Sequence, residues 1–248
     1  MIYIKTNEEI EKMRQSGRIV AEVHQLMREL VRPGVTTAEL DAAGEALIRS
    51  RGATPSFLGY RGYPASLCIS VNEEVVHGIP GSRIIQEGDI VSIDVGAYLD
   101  GYHGDGAITL PVGNVDTEWV RLMAVTEEAL YRGIEAAQVG NQITHISQAV
   151  QNHVEAQGFS VVRDLIGHGI GKSMHEDPEV PNFVTRRKGA KLQPGMVIAI
   201  EPMVNMGTHL VTYLSDGWTV VTGDRKPSAH FEHTVAIMTD GPKILTAL

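Results

Sequence analysis

Two glycine-bounded helical segments recur at a fixed distance along the chain. Gly34 and Gly52 bracket one, Gly140 and Gly158 the other; both brackets are 18 residues wide, and they lie 106 residues apart. Farther on, Gln86–Asp94 (QEGDIVSID) resembles Gln193–Glu201 (QPGMVIAIE) at an offset of 107. Two matches in the same order at nearly the same offset point to an internal duplication, with halves at about 1–115 and 116–248. A duplicated chain of this kind has its architecture constrained twice over, because whatever one half forms the other must form too.

Each half reads as two helices followed by strands. Thr6-x-x-Glu9 and Thr36-x-x-Glu39 are capping boxes that open helices. Ile10, Met13, Gly17, Val20, Met27 and Leu30 fall on one face at helical spacing, as do Leu40, Ala43, Leu47 and Ile48 in the next segment. Helix-like stretches at about 117–139 and 143–157 repeat the pair. The runs from about 66 to 112 are β-rich, and Asp100-Gly101 is a hairpin turn signal. No Pro/Ser-rich linker or charge run separates the halves. The pattern predicts one α+β domain over residues 1–248, with helices packed on an antiparallel sheet and two halves related by a pseudo-twofold axis.

Composition removes several classes of function. With 248 residues, 43% of them apolar, the chain can hold a core without disulfides or a structural metal. Lys and Arg number 21 against 30 Asp and Glu, a formal net charge of −9. That balance argues against binding nucleic acid or an anionic membrane, which need clustered cations. No apolar run approaches the roughly 18 residues of a membrane span, and the N-terminal MIYIKTNEEIEKMR has no secretory apolar core. Cys68 is the one cysteine, so no internal disulfide forms and a reducing cytoplasm is expected.

Several motifs fail. GIGKS at 169–173 lacks the first glycine of a phosphate loop, since Ile166 stands there. His175-Glu176 has Glu179 where a helical zinc motif needs histidine. What remains is a set of acids in apolar company. Asp94 lies inside IVSIDVGAY and Glu201 inside MVIAIEPMV, at equivalent positions of the repeat. A carboxylate in an apolar strand is costly unless it is paired or bound to metal. One alone could be salt-bridged to an arginine; two brought face to face by pseudo-symmetry must share a proton or hold cations. A hairpin turning at Asp100-Gly101 pairs residue 94 with residue 107, which sets Asp105 diagonal to Asp94 on the same face. The glycines on both sides of His168 are expected to clear room against that ring, and FEHTVAIM places Glu232 at the start of an apolar strand. Two Asp, two Glu and one His form a mostly oxygen donor set, suited to a pair of divalent ions such as Mn, Fe or Co. Two such ions about 3.5–4 Å apart can activate water at neutral pH.

Taken together, VNEEVVHGIPG, SIDVGAYLDGYHGD, IGHGIGKSMHEDP, AIEPM and FEHT resemble the type I methionine aminopeptidases over essentially the whole chain. The resemblance implies the pita-bread fold and removal of N-terminal methionine ahead of a small second residue. It implies that Asp94, Asp105, His168, Glu201 and Glu232 ligate two divalent ions (Mn, Fe, Co or Zn), with Asp105 and Glu232 bridging. It makes His175 the donor to the scissile carbonyl oxygen, His77 a contact on the leaving side, and Glu201 the acid/base. The methionine pocket carries over onto Phe57, Tyr60, Tyr63, Cys68, Met174 and Trp218, beside His77 and His175. Met174 stands where many relatives carry phenylalanine, and Phe57 where some carry cysteine. The gaps of 33 residues from His168 to Glu201 and 31 from Glu201 to Glu232 leave no room for the inserted subdomain of the type II enzymes. The expected partners are the N-termini of nascent proteins, met near the ribosome by a monomer in the cytoplasm. Two other readings are an X-Pro peptidase of the same fold and a peptide- or protein-binding module that has lost catalysis. Retention of all five ligands and both accessory histidines disfavours the binding module.

Overall fold

A computed structural model describes all 248 residues. Four helices carry the long apolar stripes: α1 (Asn7–Leu30), α2 (Thr37–Ser50), α3 (Thr117–Ala136) and α4 (Ile143–Ala156). The two capping boxes form as the sequence requires. Thr6 and Thr36 each accept from the backbone N–H three residues on, and Glu9 and Glu39 each accept from the cap's own N–H at 2.8 Å. Asp116 opens α3 by accepting from Glu118 N at 2.8 Å.

The halves repeat each other bond for bond where the second helix begins. Gly34 N donates to Ile85 O and Ile85 N to Val35 O, both at 2.8 Å. In the other half Gly140 N donates to Leu192 O at 3.0 Å and Leu192 N to Asn141 O at 2.7 Å. In both halves the turn ahead of the second helix is stitched to the loop that feeds the counterpart strand, Ile90–Leu99 in one and Val197–Ile200 in the other.

The helices lie on a curled antiparallel sheet of nine strands. Its main path runs Thr54–Pro55, Ile90–Leu99, Tyr102–Pro111, Glu232–Met238, Val197–Ile200, Gly167–Gly169, Glu176–Val180. Tyr102–Pro111 from the first half and Glu232–Met238 from the second therefore meet at the centre. Ile90–Leu99 and Val197–Ile200 flank them as counterparts. The hairpin turns at Asp100 (φ 49°) and Gly101 (φ 87°), two left-handed residues as a tight two-residue turn demands. That turn sets Asp94 opposite Ala107, the pairing the sequence predicts.

The main core joins the inward faces of all four helices, including Val20, Val23, Leu40, Leu130 and Ile146, to Ile69, Ile93, Ile198 and Val235 of the sheet. Each such side chain contributes about 1.5–3 kcal/mol on burial. Leu30, Ala43 and Leu47 sit at the margin of this core, half-buried rather than inside it. α1 approaches the central strand closely because both partners are glycine: a Cβ on Gly104 would lie 2.6 Å from the Gly17 nitrogen. Alanine at Gly104 would push α1 off the sheet and disturb Asp105 beside it.

Candidate active site

Four carboxylates converge on the inner face of the sheet. Ile90–Leu99 carries Asp94, Tyr102–Pro111 carries Asp105, the residue after Val197–Ile200 is Glu201, and Glu232 opens Glu232–Met238. Asp94 and Glu232 both pair with Ala107, and Asp105 lies two residues from it, so strand alternation aims all three to one side. Asp105 and Glu232 are buried, while Asp94 and Glu201 are partly buried at the wall of one cavity.

No lysine or arginine lies within 4.0 Å of any of the four; the ion-pair distances they have are to histidines. Oxygens of Asp94, Asp105 and Glu232 are buried without a hydrogen-bond partner. Burial pushes the Asp94 carboxyl up to about 7. Asp105, Glu201 and Glu232 are driven well above the ordinary carboxylate range, first by burial and then by the charge of their neighbours. Such a cluster is unfavourable as bare anions and fits multivalent cations. Donor atoms of Asp105, His168 and Glu232 lie within 4.8 Å of one another, and so do those of Glu201, His230 and Glu232. The arginine pairing open to Asp94 or Glu201 in the sequence is thus absent.

The histidines are oriented by their surroundings. His168 Nδ1 donates to the Gly169 carbonyl at 2.8 Å, which leaves Nε2 with a free lone pair 3.5 Å from Glu201 Oε1. Burial holds the His168 ring near a pKa of about 3, hence neutral. The His175 ring lies tilted against that of His168, centroids 4.1 Å apart, and stacks on Tyr60, whose hydroxyl is hydrogen bonded to His175 Nδ1 at 2.9 Å. With that hydroxyl donating, the ring proton sits on Nε2. Burial lowers the His175 pKa, with the Arg61 charge adding to it. His77 is held in the left-handed region at φ 60°, a sparsely populated conformation for a non-glycine residue. Its ring faces Trp218 edge-on, and burial lowers its pKa to about 4.

One expectation is corrected. The glycines beside His168 do not clear space for a ligand. A Cβ on Gly167 would strike the Ala199 carbonyl, and one on Gly169 the Asp177 carbonyl. They let neighbouring strand backbones close around the histidine.

Beside the carboxylates the cavity becomes apolar. Phe57, Tyr63, Ala65, Cys68 and Met174 form a buried cluster, with Tyr60, Ile79 and Trp218 packed against it. Tyr63 and Trp218 meet edge to face at 5.1 Å, and the Tyr63 hydroxyl donates to the Gly78 carbonyl at 2.9 Å. Cys68 pairs across strands with Asp94, and burial raises its thiol pKa, so it packs as a neutral apolar side chain. The cavity holds about 180 Å³, and the structure brings every site residue expected from the sequence to its wall. It adds His230, Arg61, Val76, Leu165, Ile166 and Met203. His230 ends the strand Ser228–His230 two residues before Glu232, and both line the cavity.

A family model for metallopeptidase family M24 matches residues 11–239. A methionine aminopeptidase of Clostridium perfringens is 57% identical over 248 residues, all of both chains. Methionine aminopeptidase 1 of Bacillus subtilis is 53% identical, with 99% of each chain covered. Among solved structures, a Thermotoga maritima methionine aminopeptidase superposes with a TM-score of 0.98 at 44% identity, covering all of both chains. A metallopeptidase model over most of the sequence, full-length relatives of one activity and a cavity walled by carboxylates agree: the chain belongs to metallopeptidase family M24, among its methionine aminopeptidases.

Proposed function

We propose that this chain removes the N-terminal methionine of nascent proteins and peptides, preferring a small second residue. The observation that carries this reading is the contact between two unlike walls of one cavity: unpaired buried carboxylates on one side, and a soft aromatic and thioether-lined pocket on the other. An unbranched, polarizable methionine side chain suits that second wall. The small second residue is taken from the family resemblance.

In this reading Asp94, Asp105, His168, Glu201 and Glu232 hold two divalent ions, with manganese, iron or cobalt favoured by a donor set of mostly oxygen. When bound, such ions supply Lewis acidity that polarises the scissile carbonyl and makes water acidic. The protein's own groups do the rest. Phe57, Tyr63, Cys68, Met174 and Trp218 enclose the methionine side chain and exclude water from it. His175 offers its Nε2 proton to the carbonyl oxygen as charge develops there. Glu201, at the cavity wall beside His168, takes the proton of the attacking water and returns it to the leaving amine. His77, locked by its backbone, contacts the amide on the leaving side.

The chain acts, in this reading, as one catalytic unit over residues 1–248, a monomer in the cytoplasm that meets its substrates near the ribosome. A lone buried cysteine fits a reducing compartment. The test is methionine release from Met-Ala-Ser, Met-Leu-Ser and Ala-Pro peptides, with chelator and with added manganese, cobalt or iron. Fast, chelator-sensitive release from Met-Ala-Ser alone is expected. Equal rates on Met-Leu-Ser would remove the small-residue preference, and full activity in verified metal-free protein would remove the metal reading.

A further inference from the structure

His230 is a buried polar group at this site for which the proposed chemistry gives no use. It ends the strand Ser228–His230 and is 1% exposed. Its backbone is clamped on both sides by one side chain: His230 N donates to Thr109 Oγ1 at 2.9 Å, and that hydroxyl donates to the His230 carbonyl at 2.8 Å. The ring is thereby aimed at the cavity, and its buried Nε2 has no hydrogen-bond partner. A buried polar atom left unpaired is costly, so a fold that fixes one this firmly at a cavity wall points to a partner that is not protein.

The neighbours identify that partner. His230 Nε2 lies 3.8 Å from Glu201 Oε2, and His168 Nε2 lies 3.5 Å from Glu201 Oε1. At 3.8 Å the first is too long for a hydrogen bond. The separation is that of two donor atoms with room for an ion to be shared between them. Donor atoms of Glu201, His230 and Glu232 lie within 4.8 Å of one another, as do those of Asp105, His168 and Glu232. The two groups share Glu232 and each contains one imidazole.

We propose that His230 is a direct metal ligand, so that each of the two ion positions has its own imidazole nitrogen. The inference rests on the reading that these carboxylates hold two divalent ions. A second nitrogen donor moves the site's preference away from manganese and toward cobalt, iron and zinc.

X-ray absorption of the full chain loaded with cobalt tests this, because imidazole rings have a distinct scattering signature. Two histidines over two ions give on average about one imidazole per cobalt; His168 alone gives about one per two. The first result in the native protein is expected, and the second overturns the proposal without touching the metal reading. Failure of the native protein to bind cobalt at all overturns both. In His230→Gln the average should drop to about one imidazole per two cobalts. One of the two cobalt affinities should fall by at least the roughly 10–100-fold that loss of an outer-shell partner costs. Unchanged affinities and an unchanged imidazole count in His230→Gln overturn the proposal even if turnover falls. Should that variant fail to fold, the native measurement decides alone.

Discussion

Asp94 and Glu232 stand opposite the same residue: each pairs with Ala107, one from either side of the central strand. One comes from each half of the chain, and the shared register aims both at the cavity. A slip of one residue on either side would turn a carboxylate into the apolar layer beneath the helices. These two carboxylates are therefore held by strand pairing rather than by loops, which gives rigid geometry to groups that repel each other.

That repulsion predicts how the protein responds to metal. An ion that binds only the folded state stabilises it by about 2.7 kcal/mol at a hundredfold excess over Kd. Adding manganese or cobalt to chelated protein should raise the melting temperature. Asp105→Asn and Glu232→Gln should melt higher than wild type without metal, since each removes a carboxyl whose ionisation the fold disfavours, and should gain less from metal. A melting temperature indifferent to metal in the wild type would contradict this.

His175→Ala should lower turnover by about 10²–10³, the usual effect of losing one donor to a developing oxyanion. Metal content and melting temperature should stay near wild type, because the ring's contacts are with Tyr60 and with the tilted ring of His168. Tyr60→Phe should show a smaller loss, as Nδ1 loses the partner that sets its tautomer. Steady-state kinetics and metal analysis on one preparation check both; bound metal lost from His175→Ala would instead make it a ligand.

Next to His175, Glu176 forms a buried ion pair with Lys5 at 2.6 Å, with both side chains about one-twentieth exposed. Breaking such a pair strands a charge and costs about 3–5 kcal/mol. Lys5→Met should be destabilised by about that much in urea unfolding, and Lys5→Met with Glu176→Met should recover most of it. The single variant should also lose turnover, because the Glu176 carboxylate accepts from Ser173 N and so pins the segment that presents Met174 and His175. A double variant no more stable than the single one would show that the pair is not the source of the loss.

His24 offers a test by pH away from the carboxylates. It is buried on α1, and burial, aided by His233 and Arg28, lowers its pKa to about 3. The folded state therefore holds it neutral, while the unfolded chain takes up a proton below about 6.5. Its contribution is complete above about 6.5 and is lost as pH falls toward 3, at about 1.4 kcal/mol per unit. Between pH 7 and pH 5 the wild type should lose roughly 2 kcal/mol more than His24→Gln. Parallel urea titrations of both proteins at the two pH values measure the difference; equal losses would show His24 free to protonate in the fold.

The sequence by itself determined whatever depends on neighbours along the chain. Thr6 with Glu9 and Thr36 with Glu39 announced two helix starts, because a cap and its partner are one turn apart. Asp100-Gly101 announced the hairpin, and with it the face shared by Asp94 and Asp105, because a two-residue turn leaves no freedom of register. Repetition exposed Asp94 and Glu201 as counterparts. The tertiary structure decided what depends on residues far apart. Lys5 and Glu176 are 171 positions from each other, and nothing local marks either as buried. The glycines around His168 looked like room for a ligand, yet they admit the backbones of strands near Asp177 and Ala199. His230 goes unmarked in the sequence; only the fold sets its bare nitrogen 3.8 Å from Glu201. Local signals act through bond geometry over a few residues, and those are written in order along the chain. Desolvation and close packing act through whatever the folded chain brings together, and no short stretch of sequence contains both sides of that contact.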